Sequence, residues 1–158
     1  MQKLTTFIWF DNNAGEAIDF YFSIFKDAKL IRKATNPMGA PGPEGALLVA
    51  TIQLEGQEFT LMNGGPGHPP TDAISITVNC GSQEEVDHYW NKLLAGGGRE
   101  QACGWLQDRF GLSWQVTPTM LPELIADPDR EKASRVMQAM MKMVKLDIAL
   151  LQAAADEK

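Results

Sequence analysis

The strongest constraint on this chain is that it resembles itself. At an offset of 68 residues (79 − 11), Asp11 falls on Asn79, Glu16 on Glu84, Ile18 on Val86, Asp19 on Asp87, Tyr21 on Tyr89, Phe22 on Trp90 and Phe25 on Leu93. A chain that repeats its own pattern folds as copies of one supersecondary unit, so an element read in the first half is required in the second. The unit is α+β. Residues 4–10, LTTFIWF, are aromatic and β-branched and read as a strand closed by the turn-forming Asp11-Asn12-Asn13. Ala17, Ile18, Tyr21, Phe22 and Phe25 recur at helical spacing, with Glu16 and Asp19 on the other side. A strand over 28–34 follows. The Pro- and Gly-rich stretch 36–45 reads as an irregular loop, a candidate lid. Strands over 46–54 and 58–63 form a hairpin, and 64–70, GGPGHPP, is a linker.

The second half repeats this plan: a strand over 73–78, a helix ended by Gly96 to Gly98, and strands over 99–106 and 112–117. One helix per module covers one sheet face only. Two βαβββ modules side by side therefore predict a cupped mixed sheet around a concave cleft. The expected layout is one domain over 1–158, with modules at 3–65 and 71–118 and a helical extension at 119–158.

Period-two alternation names the residues that face the cleft. Thr5, Phe7 and Trp9 face it from the first strand. Ala73, Ser75 and Thr77 face it from the fifth, while Ile74, Ile76 and Val78 pack on the helix. The densest chemistry lies in 103–118, CGWLQDRFGLSWQVTP, which reads as a hairpin with Ser113, Gln115 and Thr117 on one face and Leu112, Trp114 and Val116 on the other. The candidate ligand-binding set is Thr5, Phe7, Trp9, Ser75, Thr77, Cys103, Ser113 and Gln115, an aromatic and neutral-polar lining suited to a small, partly apolar molecule. The same pattern also describes aromatic residues filling a sheet interface and a polar face in water, and both readings stand at this point.

Composition removes other classes. The formal net charge of −6 and the lack of a basic run argue against nucleic acid and anionic membrane surfaces. No apolar stretch near the start suits a signal peptide or a span, and two distant cysteines suggest a reducing compartment, so a cytoplasmic protein is expected. His68 falls in the linker and His88 on the helix, places that suit packing or solvent better than ligation. Cys103 has no sequence-local base and reads as a small buried thiol. Asp108-Arg109 would suit an anion clamp, but a solvent-exposed pair is the expected outcome in a hairpin turn. In the extension, Asp127-Pro128-Asp129 reads as an N-cap with proline at the first helical position. Val136, Met137, Met140, Met141 and Val144 then form an apolar stripe, and Asp147 restarts a helix through Ala155. Such a stripe suits either a core or a dimer face, and on a terminal extension it suggests docking in a homodimer.

The blocks FIWFDNNAGEAIDFY, LEGQEFTLMNGGP, AISITVNC and CGWLQDRFGLSWQVTP together resemble the PhnB-like branch of the vicinal oxygen chelate (VOC) superfamily of glyoxalases, bleomycin-resistance proteins and extradiol dioxygenases. The resemblance spans nearly the whole chain, in the family's order. It implies the paired βαβββ fold and a dimer. Proteins of this branch often carry the label 3-demethylubiquinone 3-methyltransferase, but a methyl transfer from S-adenosylmethionine needs a Gly-rich turn between a parallel strand and a helix. Here Gly96 to Gly98 follow a helix and Gly64-Gly65 precede a linker. The superfamily also implies a divalent metal held by four strand positions, which fall here at Thr5 or Thr6, Phe59 or Thr60, Ala73 and Gln115, with Glu58 one residue away. One amide and no imidazole predict no catalytic metal and no cofactor. Three readings follow: a metal-independent binder of a small molecule, a VOC-type enzyme with unassigned catalytic residues, and a structural dimer with a vestigial cleft.

Overall fold

The computed structural model describes residues 2–157. The chain divides into two compact units, Met1–Pro70 and Thr71–Lys158. The first contains β1 (Thr6–Phe10), α1 (Ala14–Phe22), β2 (Ala28–Thr35), β3 (Leu47–Leu54) and β4 (Gln57–Asn63). The second contains β5 (Ile76–Cys80), α2 (Gln83–Leu94), β6 (Arg99–Glu100), β7 (Trp105–Gln107), β8 (Ser113–Pro118), α3 (Met120–Ile125), α4 (Arg130–Met141) and α5 (Ile148–Asp156).

The two sheets have the same topology, β1-β4-β3-β2 and β5-β8-β7-β6. In each, the first and last strands pair parallel and the rest antiparallel. The fold is thus the α+β duplication that the repeat requires, with a C-terminal helical extension. Burial refines the repeat. Ala17, Tyr21 and Ile24 are buried in the first unit and Val86, Trp90 and Leu93 in the second, an offset of 69 (86 − 17) in place of 68. Strand ends Phe10 and Cys80 differ by 70 (80 − 10). The offset falls by one between strand and helix because three residues, 11–13, join β1 to α1, whereas Gly81 and Ser82 alone join β5 to α2.

In the first unit Phe10, Ala50, Ile52, Leu54, Phe59 and Leu61 are buried, as are Ala14, Ala17, Ile18 and Tyr21 of α1. The ladder sets Ile52 beside Phe59 and Ala50 beside Leu61, so these form one apolar sheet face under the helix. Each fully buried Ile or Leu there stabilises the fold by about 2 kcal/mol. β2 is an almost wholly exposed edge. Lys29, Arg32 and Lys33 and two register irregularities blunt it against pairing with another chain. In the second unit Ser82 caps α2 by accepting from the Glu85 amide, while Glu85 accepts from the Gly81 amide.

Three expectations are corrected. The strand expected over 99–106 is two short strands broken by a turn at 101–104, where Cys103 (φ 61°) and Gly104 (φ 80°) both adopt left-handed backbone. Gly104 is also required sterically, because a Cβ there would lie 2.8 Å from the Leu146 side chain and 2.9 Å from the Val116 carbonyl. The α4 cap is Asp129, which accepts from the Glu131 and Lys132 amides, and Pro128 precedes the helix. Asp127 instead accepts from the Asp129 amide and pairs with Lys132 at 2.8 Å, which holds its carboxyl below the usual range. Finally, the methionine stripe is not one surface. Val136 is buried, Met137 and Met140 are half-buried, and Met141 lies exposed where α4 ends.

The extension docks on its own unit. Leu121, Val136, Leu146, Leu151 and Ala155 form a small core of their own. Segment 143–148 is tied down by backbone bonds from Cys103 to Met143 and from Gly104 to Val144, 2.9 and 2.8 Å. The Gln83 side chain donates to the Leu146 carbonyl and accepts from the Ile148 amide. Among the described residues no helix is long and apolar enough to cross a membrane.

Candidate functional site

Each sheet leaves one face uncovered by its own helix, and strand register decides which side chains populate it. In the second unit Thr77 pairs with Gln115 and Gln115 with Trp105, so threonine, amide and indole form one cross-strand row. Ser113 and Thr117 share that face, beside Gln107 and Asn79 respectively. Gln115 Nε2 donates to Ser75 Oγ at 2.9 Å, which fixes the amide and turns its carbonyl oxygen away from the serine. Ser113 is buried, and its hydroxyl has no hydrogen-bond partner. A buried hydroxyl without a partner costs about 1–3 kcal/mol.

The helix-side face is apolar and tightly built. Trp114 and Val116 lie there beside Ile76 and Val78. Asp108 joins this structure and is not an exposed clamp. It is 3% exposed, and its carboxylate accepts from the Phe110 and Leu112 amides and from Trp114 Nε1 at 2.9 Å. Arg109 is exposed and lies over the Phe110 ring at 4.9 Å. Cys103 sits in the turn before β7, outside the row around Gln115, with its amide committed to Met143. The other cysteine, Cys80, is fully buried. Desolvation, with Glu85 nearby, pushes its thiol up to about 12.

In the first unit Phe7 pairs with Thr60 and Thr60 with Thr51, while Trp9 pairs with Met62. Phe7 is 58% exposed. Trp9 is held from the linker, its indole N–H donating to the Gly65 carbonyl at 2.8 Å and its ring lying 4.4 Å from that of His68. Gly64 has to be glycine here, since a Cβ would fall 2.2 Å from the indole. Thr51 and Thr60 are buried and share a 3.2 Å hydrogen bond between hydroxyls. Glu58, two residues before Thr60 on the same face, is buried with one carboxylate oxygen unpartnered. Phe59 belongs to the apolar face, so β4 offers Glu58 and Thr60 where either Phe59 or Thr60 was expected. The sequence reading also missed Trp105. Its signal was the pairing of β7 with β8, which puts the indole beside Gln115.

These residues do not fit a resident divalent metal. The donor set is Glu58 in one unit and Gln115 in the other, with threonine at 5 and alanine at 73, and Gln115 is already engaged by Ser75. Among the described residues no three His, Cys, Asp or Glu side chains cluster as a metal site.

Comparison with known structures places this architecture in the VOC fold. FosX from Listeria monocytogenes, a fosfomycin resistance protein solved with Mn(II) and sulfate, matches with a TM-score of 0.55 at 15% identity, over 80% of this chain and 97% of that one. A protein from Pseudomonas aeruginosa matches with a TM-score of 0.58 at 21% identity, over 75% and 98%. The family model described as 3-demethylubiquinone-9 3-methyltransferase matches residues 2–117, and the chain belongs to that PhnB-like family. A PhnB protein from Bacillus cereus bearing the same description is 35% identical, with a TM-score of 0.67, over 74% of this chain and 99% of that one. No curated protein matches the chain. The family match ends at β8, so α3 to α5 lie outside it.

Proposed function

We propose that this PhnB-like protein binds a small, partly apolar molecule on the face of its second sheet that carries Trp105, Ser113 and Gln115, without a catalytic metal. The observation that carries this reading is the buried, unpartnered Ser113 hydroxyl, one position diagonal to an indole and two along the strand from the oriented Gln115 amide. The indole of Trp105 supplies apolar area. Gln115 and Ser113 select a carbonyl or hydroxyl on the ligand, and their neutrality favours uncharged ligands. The family description does not extend this to methyl transfer. The turns joining strand to helix are Asp11-Asn12-Asn13 and Gly81-Ser82, neither of them the glycine-rich loop such a cofactor requires.

The test is native mass spectrometry for a co-purified ligand, followed by titration of a panel of small neutral carbonyl and hydroxyl compounds read by tryptophan fluorescence. Binding is expected to quench Trp105, and Trp105→Phe removes that signal. Gln115→Leu should weaken polar ligands about tenfold. Binding that is indifferent to Gln115→Leu and Ser113→Ala would remove the proposal.

One observation favours an enzyme of the same fold as a second reading: Glu58 is a buried carboxylate with a free oxygen. Stoichiometric divalent metal in elemental analysis, lost in Glu58→Gln, would put that reading first.

A further inference from the structure

The extension carries a groove whose two ends differ in charge. In α4, Arg135 donates through Nε and Nη2 to the Ala154 and Ala155 carbonyls near the end of α5, so α5 runs back along α4. Between them lies an open groove of about 400 Å³. Helical spacing assigns its walls: Arg135, Ala139 and Lys142 recur along α4 and its C-cap, and Leu150, Ala153 and Glu157 along α5. Because the helices are antiparallel, Glu157 falls at the Arg135 end and Leu150 at the Lys142 end. The guanidinium and the carboxylate at the first end offset each other. At the second end Lys142 is exposed, and among the described residues it has no ion-pair partner. Half-buried Met143 lines the groove beside it, and the alanines make the middle apolar.

We propose that this groove binds a free monoanionic amphiphile, a medium-chain carboxylate, with its head on Lys142 and its apolar body laid along Met143, Ala139 and Ala153 towards Arg135. Charge decides the class. A cationic head would meet Lys142 at one end and Arg135 at the other, and a second anionic group would meet Glu157. One negative group on Lys142, followed by an uncharged tail, is the arrangement that puts no like charges together. The two ends are about 10 Å apart, from seven residues at helical rise, which sets the length of the body. Burial of that body supplies the affinity, and the exposed ammonium selects the head. The site does not rest on the reading of the second sheet given above, because every residue it uses lies beyond residue 117, where the family match ends.

Isothermal titration of the full chain with octanoate, below its micelle concentration, tests this. Saturable binding is expected. Octanol, which keeps the body and lacks the charge, should bind about fivefold more weakly, the upper range for an exposed ion pair, and octylamine more weakly still. Suberate, with a carboxylate at each end, should bind no more tightly than octanoate. Lys142→Gln should bring octanoate to the octanol value and leave octanol unchanged. Ala153→Leu fills the groove from an exposed helical position and should abolish binding of both, with circular dichroism showing that each variant stays folded. Gln115→Leu should leave octanoate binding unchanged, which separates this site from the one on the second sheet. Octanoate that does not bind, that binds no better than octanol or octylamine, or that is indifferent to Lys142→Gln or to Ala153→Leu overturns the proposal. So does binding lost in Gln115→Leu, or a dimer in sedimentation velocity that Ala153→Leu dissociates, which would give the groove to a second copy.

Discussion

Asp108 shows how much one side chain can decide. Its sequence setting, an Asp-Arg in a hairpin turn, describes a solvated pair equally well, and only the return of β8 brings Trp114 Nε1 to its carboxylate. Alternation places Trp114 on the apolar face but says nothing about what its N–H bonds, so this anchor was not legible in the sequence. Asp108→Ala should destabilise the protein by about 3 kcal/mol in urea unfolding, because buried donors lose their acceptor. Gln115→Leu should change stability little by the same measurement, since it removes both amide groups and leaves only the Ser75 hydroxyl to water. The cysteines separate on similar grounds. In the native protein at mildly alkaline pH, iodoacetamide should alkylate half-exposed Cys103 and spare Cys80. Because burial raises the Cys80 value to about 12 from 9.0, its proton stabilises the fold fully below 9.0, and that contribution is lost as pH rises towards 12. Equal alkylation of both thiols under native conditions would contradict this.

At the scale of elements, strands and helices were legible where periodicity was strong, as in α1, β3, β4 and β8. The misread elements were those set by distant contacts. The break between β6 and β7 depends on a left-handed Cys103-Gly104 turn that docks on segment 143–148, more than thirty residues downstream. The same segment is gripped by Gln83, two of whose side-chain bonds reach Leu146 and Ile148. Gln83→Ala should therefore raise hydrogen exchange in 143–151 while β5 and β8 keep their protection. Uniform loosening of the whole second unit would show that Gln83 supports α2 instead of the extension. The Lys145–Asp87 pair at 2.6 Å joins the same surfaces and lowers the Asp87 value. It is substantially exposed, so its removal alone should leave exchange almost unchanged.

For the molecule as a whole, the duplication was readable because each half must bury one helix on one sheet, and this forces the same hydrophobic spacing twice. The extension was readable only as helix, since nothing in its pattern says whether its apolar side faces its own unit or another chain. The structure answers half of that question: Leu121, Val136, Leu146 and Leu151 turn inward, while Leu150, Met141 and Val144 stay outside. The family match spans residues 2–117, so a chain ending near Thr119 retains β1 to β8 with α1 and α2. Such a truncation should keep the far-ultraviolet signature of folded sheets and helices. It should melt at a lower temperature, because Gly104 loses the cover of Leu146. If the extension carries the self-association surface, light scattering should show the truncated chain as a monomer at concentrations where the full chain is dimeric. A folded truncation that remains a dimer would place the interface on the family's shared fold, and the extension would then serve stability alone.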